Sequence, residues 1–176
     1  MKPLSVCPAC GAEVIPGSDR CEECGSDLHD YERSEPSSRI ARTILSDRLS
    51  ALEPPEPVTA TPDESIAEVV KKMTERKHGA VCIVDKGEIV GIFTERDVLM
   101  RVAARGLDLE STPVSAVMTK DPLTFSPESN LAYALNQMSV SGLRHLPIVD
   151  GKKPIGITTV RGVLNYIASH ALHCGE

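Results

Sequence analysis

The chain has 176 residues, 41% of them apolar and 3% aromatic, with no tryptophan, so aliphatic side chains must build any core. A formal charge of −6 argues against a general nucleic-acid binder or a binder of anionic membranes. The chain has no apolar run of about 18 residues, and its opening MKPLSVCPAC lacks the apolar stretch of a secretory signal; the expectation is a soluble cytoplasmic protein with cysteines that are thiols or metal ligands rather than disulfides.

The first element is a cysteine cluster. CPACG at 7–11 and CEECG at 21–25 form two C-x2-C pairs with ten residues between them. Two such pairs bring four thiolates within tetrahedral reach of one ion, and the glycine after each second cysteine lets the backbone turn tightly. So short a segment cannot fold on apolar burial alone, so a bound metal would supply its folding free energy. The stretch resembles the zinc-ribbon family, whose paired CxxC knuckles hold a structural zinc, and the resemblance implies Cys7, Cys10, Cys21 and Cys24 as ligands. Four thiolates leave no open position for catalysis. A rubredoxin-like iron site uses the same set, so zinc and iron both stay open. Within 1–30, Lys2 and Arg20 stand against Glu13, Asp19, Glu22, Glu23, Asp27 and Asp30, and 2 − 6 gives −4. Phosphate binding requires the opposite sign, which favours a protein-contact or purely structural ribbon.

Residues 31–56 read as a connector. Ile40, Ile44, Leu45, Leu49 and Leu52 follow Ser37-Ser38 at roughly helical spacing, and EPPEP closes the segment. An amphipathic helix is expected, packed on the C-terminal two thirds of the chain or on a second subunit; a partly solvated linker helix fits equally.

The remainder repeats itself. A shift of 65 residues aligns 49–106 with 114–171 without a gap and gives 17 identities in 58 positions, among them Pro57/Pro122, Thr59/Thr124, Pro62/Pro127 and Ile83-Val84-Asp85/Ile148-Val149-Asp150. Each copy reads as a short extended lead-in (PVTA in the first), a helix, two strands and a second helix. In the first copy TPDE caps a helix carrying Ile66, Val69, Val70 and Met73, AVCIVD and IVGIFT are strands about the turn KGE, and ERDVLMRVAARG is a helix ending at Gly106. One such unit cannot bury its own helices and sheet, so the two should pack together. Cys82 within AVCIV reads as a buried apolar residue. His170, His173 and Cys174 lie in HALHCGE, which reads as a frayed tail more readily than as a second metal site.

GIFTERDVL at 91–99 returns as GITTVRGVL at 156–164, with Asp97 replaced by Gly162. Thr94 and Asp97 have the spacing of a capping box, which alone could account for them. Arg96 and Arg161, however, put a cation in the first turn of both helices, where it is useful if an anion sits at the helix start. Gly162 forgoes the box and costs about 1 kcal/mol of helix propensity relative to alanine.

These features (G-h-h-T-x-x-D closing the first copy, LPIVD in the second, and the PxTxxP lead-ins) resemble a tandem of cystathionine β-synthase (CBS) domains, the Bateman module, over about residues 45–172. The resemblance implies an α/β fold of two β-α-β-β-α units packed as a pseudo-symmetric pair. The organisation is then a zinc ribbon over 1–30, a connector over 31–56, CBS units over 57–110 and 111–172, and a tail over 173–176. It also implies regulation rather than catalysis. Such pairs bind adenosine-containing ligands (AMP, ADP, ATP or S-adenosylmethionine) in clefts between units. Carried onto this chain, Thr94 contacts phosphate, Asp97 grips the ribose hydroxyls, Arg144, His145 and Arg161 add positive charge, and Thr124 and Phe125 flank the base. The mirror-related cleft has Gly162 for the carboxylate and only His78 opposite, so one competent site per chain is expected.

The expected function is therefore a non-enzymatic nucleotide sensor, a homodimer by resemblance, with an unidentified protein partner, no membrane and no nucleic acid. The competing expectation is a metal- or redox-responsive interaction protein that uses the CBS pair as a dimerising scaffold.

Overall fold

The computed structural model describes residues 6–15, 18–28 and 39–172. Ser37-Ser38, the 173–176 tail with His173 and Cys174, and the charges of Lys2 and Asp30 lie outside the described residues. The chain folds as two compact units. One is Pro55–Phe125 with Pro147–Ile157; the other takes the described residues of Met1–Pro54, Ser126–Leu146 and Thr158–Glu176.

The first of these is built on a sheet. Strand β1 (Thr59–Ala60) runs parallel to β2 (Ala80–Asp85), β2 antiparallel to β3 (Glu88–Thr94), and β3 antiparallel to β4 (Thr119–Lys120), a short edge not anticipated from the sequence. Helix α2 (Ile66–Arg76) lays Ile66, Val69 and Met73 into a core with Val81, Ile83 and Phe93, as its spacing requires. Its cap is Ser65 rather than the expected Thr61: the Ser65 hydroxyl accepts from the Glu68 N–H, and Glu68 accepts in return from the Ser65 N–H at 2.9 Å. Thr61 instead donates its N–H to Glu64 Oε1 at 2.8 Å, in the turn before the helix. After β3 the chain is α-helical over Glu95–Asp97, π-helical over Val98–Val102 and 3-10 over Ala103–Arg105, together α3. The uniform α-helix expected there is thus widened in its middle, and Gly106 closes it at φ +61.

In the other unit, α1 (Arg39–Ser46) packs against α4 (Leu131–Ser141) and α5 (Val160–Leu172). Asn130 donates to the Leu45 carbonyl at 2.9 Å, and the Tyr166 hydroxyl to Asp47 Oδ2 at 2.7 Å. The connector helix therefore lies on helices of the second repeat. It is also shorter than expected, because Arg48 is extended (φ −97, ψ 160) before a 3-10 turn at Leu49–Leu52. The cause is tertiary: the N–H groups of Leu49 and Ser50 donate to the carbonyls of Ser129 and Pro127.

That pairing has a twin. The N–H groups of Val114 and Ser115 donate to the carbonyls of Glu64 and Pro62, 65 residues earlier at each partner. Arg48 bridges to Asn130 as Ser65 bridges to Pro113. The turn preceding the second repeat thus completes the first repeat's helix, and the turn preceding the first completes the second's. Helices α2 and α4, strands β2 and β5 (His145–Asp150), and β3 and β6 (Lys153–Thr159) share their bounds at the 65-residue offset. Strands β5 and β6 form a two-stranded sheet. The repeated α/β unit is present as expected.

Candidate functional site

Two knuckles build the cysteine cluster, offset by 14 residues. In the first, the Cys7 N–H donates to the Ala12 carbonyl and the Gly11 N–H to the Cys7 carbonyl; in the second, Cys21, Ser26 and Gly25 do the same. Gly11 and Gly25 sit at φ +79 and +72, where a side chain would be strained. The four sulfurs lie within 4.8 Å of one another, with Cys7–Cys24 at 3.7 Å and Cys10–Cys21 at 3.5 Å. A tetrahedron with metal–sulfur bonds of about 2.3 Å has edges of about 3.8 Å, so the residues present fit a zinc or iron ion. Burial pushes the Cys10 thiol up to about 12 and raises Cys7, whereas the Ser26 hydroxyl and backbone bring the exposed Cys24 down to about 6. A dication would offset the cost of charging the buried thiols. Beneath the sulfurs lies only a small core of Cys7, Cys21 and Leu28, edged by Ala9, Ala12 and Val14.

The carboxylate of the first repeat is one of two buried polar side chains among the described residues, at 7% exposure. Thr94, extended at the helix start, donates its N–H and its hydroxyl to Asp97 Oδ2 at 2.9 and 2.7 Å. Arg101 Nε lies 3.3 Å from Oδ1, and its Nη1 donates to the Val117 carbonyl at 2.8 Å. The capping box is therefore real. A carboxylate offers about four lone-pair positions, and these contacts occupy three, leaving capacity for one further donor.

In the second repeat the Gly162 N–H donates to Thr159 Oγ1 at 3.0 Å and no carboxylate answers it. A Cβ on Gly162 would meet nothing nearer than 3.5 Å. Gly162→Asp is expected to close a box with Thr159 and stabilise the protein by about 1 kcal/mol in denaturant titration. The change at 162 is matched at the next turn, since Tyr166 stands at the position of Arg101 and donates to Asp47. Arg101 was not singled out from the sequence. The paired exchange of Asp97 and Arg101 for Gly162 and Tyr166 is the signal that could have found it.

The other expected site residues occupy varied settings. Thr124 is half-buried; Phe125 is buried, and its backbone bonds Pro147 and Val149 in the register that Ala60 keeps with β2. A ring so covered offers a ligand its backbone rather than its face. His145 opens β5 half-buried, Arg144 is exposed beside it, and Arg161 is exposed in the first turn of α5. Thr94 and Asp97 are in direct contact. Cys82 is fully buried, which pushes its thiol up to about 12 and suits the apolar role expected of it. The His170 ring stacks near Tyr166 at 4.1 Å.

The family model for the CBS domain matches twice, over residues 50–104 and 114–169. The chain belongs to the CBS domain family. The CBS domain-containing protein YhcV of Bacillus subtilis (strain 168) is 34% identical over 102 residues, 58% of this chain and 72% of that one. The mitochondrial CBS domain-containing protein CBSX3 of Arabidopsis thaliana is 32% identical over 112 residues, 61% of this chain. The chain spans about half, 54%, of that relative's length. Among solved structures, the CBS domain protein PAE2072 from Pyrobaculum aerophilum, complexed with AMP, shares the fold with a TM-score of 0.62 at 23% identity, covering 70% of this chain and 99% of that one. The cysteine cluster lies ahead of both CBS matches. Among the described residues no helix is long and apolar enough to cross a membrane.

Proposed function

We propose that this CBS pair, over 57–110 and 111–172, is a regulatory protein that binds one adenosine-containing ligand per chain: AMP, ADP, ATP or S-adenosylmethionine. Asp97 accepts from the ribose hydroxyls and Thr94 meets phosphate. Arg144, His145 and Arg161 contribute positive charge, and Thr124 with the backbone of Phe125 flanks the base. The observation that carries this reading is the asymmetry of the repeats: a buried carboxylate with an acceptor position to spare stands at 97, and a glycine at 162. The AMP complex of the Pyrobaculum protein supports the ligand class. One ribose hydroxyl takes the spare position and the second competes with Arg101, so binding draws on the Arg101–Val117 tie.

In this reading the cysteines hold zinc, with iron as the other metal suited to the set. The ribbon serves protein contact, the chain acts by binding rather than catalysis, and it works as a cytoplasmic homodimer. Titration calorimetry of the full chain with AMP, ATP and S-adenosylmethionine should give one site per chain for at least one of them. Two equal sites would overturn the asymmetry, and no heat with any ligand would overturn the reading.

A second reading, a metal- or redox-responsive interaction protein, draws on the exposed Cys24, whose thiol sits 3.1 Å from Ser26 Oγ and is the most acidic of the cluster. Purified protein that is coloured and bleaches on reduction would favour it, since a zinc site is colourless and redox-silent.

A further inference from the structure

The two knuckles share one backbone pattern but not one environment. A Cβ on Gly25 would meet nothing within 4 Å, whereas a Cβ on Gly11 would lie 2.9 Å from Cδ1 of Tyr133, with the ring stacked over the knuckle turn. One helical turn further along α4, Asn136 Nδ2 donates to the Ala9 carbonyl at 2.6 Å, across 127 residues of sequence. That carbonyl belongs to the same peptide group as the Cys10 N–H, which points at the Cys7 sulfur. A donor on the oxygen of a peptide group strengthens the N–H at its other end. Asn136 therefore stands one peptide group away from a ligand sulfur, where metal sites carry their orienting partners.

We propose that the second CBS repeat supplies the outer support of the four-cysteine metal site, with Asn136 as its positioning residue and Tyr133 as its packing surface, so that metal occupancy and the order of α4 are coupled. The inference rests on the reading of Cys7, Cys10, Cys21 and Cys24 as metal ligands. It goes beyond a ribbon that merely serves protein contact, because the first knuckle's partner is the chain itself. Coupling of this kind is reciprocal: whatever the metal gains from α4, α4 gains from the metal. Asn130 caps α4 and also bonds the connector at Leu45, so the same helix start joins the connector, the ribbon and the second repeat.

The test uses the full chain, zinc and a competing chromophoric chelator. Asn136→Ala and the near-isosteric Asn136→Asp, which lacks the donor, should each weaken zinc binding about tenfold, with the main unfolding transition unchanged. In the wild type, stripping zinc should speed amide exchange within Leu131–Ser141, a readout that needs no variant. Zinc held equally by wild type and both variants, or exchange in that helix indifferent to zinc, would overturn the coupling while leaving the metal site intact. A wild-type chain that takes up no zinc would overturn both.

Discussion

Chelating the metal is expected to unfold residues 6–28 while the two repeats stay folded. The reason is the size of what lies beneath the sulfurs. Leu28 is the one large side chain fully buried there, and its neighbours are cysteines, alanines and a half-buried valine. Transfer of so little apolar area contributes a few kcal/mol, whereas ordering some twenty residues costs about 1–2 kcal/mol each. Structural zinc supplies about 10–16 kcal/mol in segments of this kind. Cys21→Ser should reproduce the effect, since one ligand lost opens a closed site. Amide exchange or limited proteolysis, with recovery on adding zinc back, is the measurement. A cluster as protected without metal as with it would mean that the thiols are only packed together. The repeats keep their own core around Phe93, Ile66 and Val81, which owes nothing to the ion.

Asp97→Ala should act twice, on stability and on binding. It removes the acceptor of the Thr94 N–H and hydroxyl, a capping loss of about 1–2 kcal/mol, and strands the Arg101 guanidinium that it faces at 3.3 Å. For the nucleotide it removes two hydrogen bonds to a carboxylate, each contributing at least about 1.5 kcal/mol, so affinity should fall about 100-fold or more. Calorimetry and denaturant titration on the same preparation separate the two effects. Asp97→Asn is the informative companion: it keeps one side-chain oxygen for Thr94 and surrenders the charge, so it should recover much of the stability and little of the affinity. A variant that loses stability but keeps its nucleotide would return the motif to a cap and nothing more.

Much of the fold was legible in local pattern. The C-x2-C pairs announce their four sulfurs because glycine-closed knuckles impose the same backbone wherever they occur. The 65-residue offset carries helices and strands together, since each element's period is set by its own residues. Signals without a period stayed silent. Asn136 and Tyr133 are two polar-tipped residues on an apolar helix, and nothing beside them in sequence says that a knuckle 127 residues away needs a donor and a ring. The break at Arg48 came from carbonyls at Ser129 and Pro127, which apolar spacing cannot see. Arg101 was overlooked because the carboxylate drew attention to 162 alone; reading position 166 beside it shows that a pair had changed, not a residue.

The exchanged turns at Leu49 and Val114 bear on how such a chain could be divided. A cut between residues 110 and 111 looks harmless in sequence, yet it takes Pro113 and Val114 away from the helix that begins at Ser65. It likewise takes Leu49 and Ser50 away from the carbonyls of Ser129 and Pro127. Each fragment would carry the other's missing clasp. The repeats are thus not beads that can be threaded singly into other proteins but halves of a buckle, and duplication of the unit pays off only when both halves are inherited together.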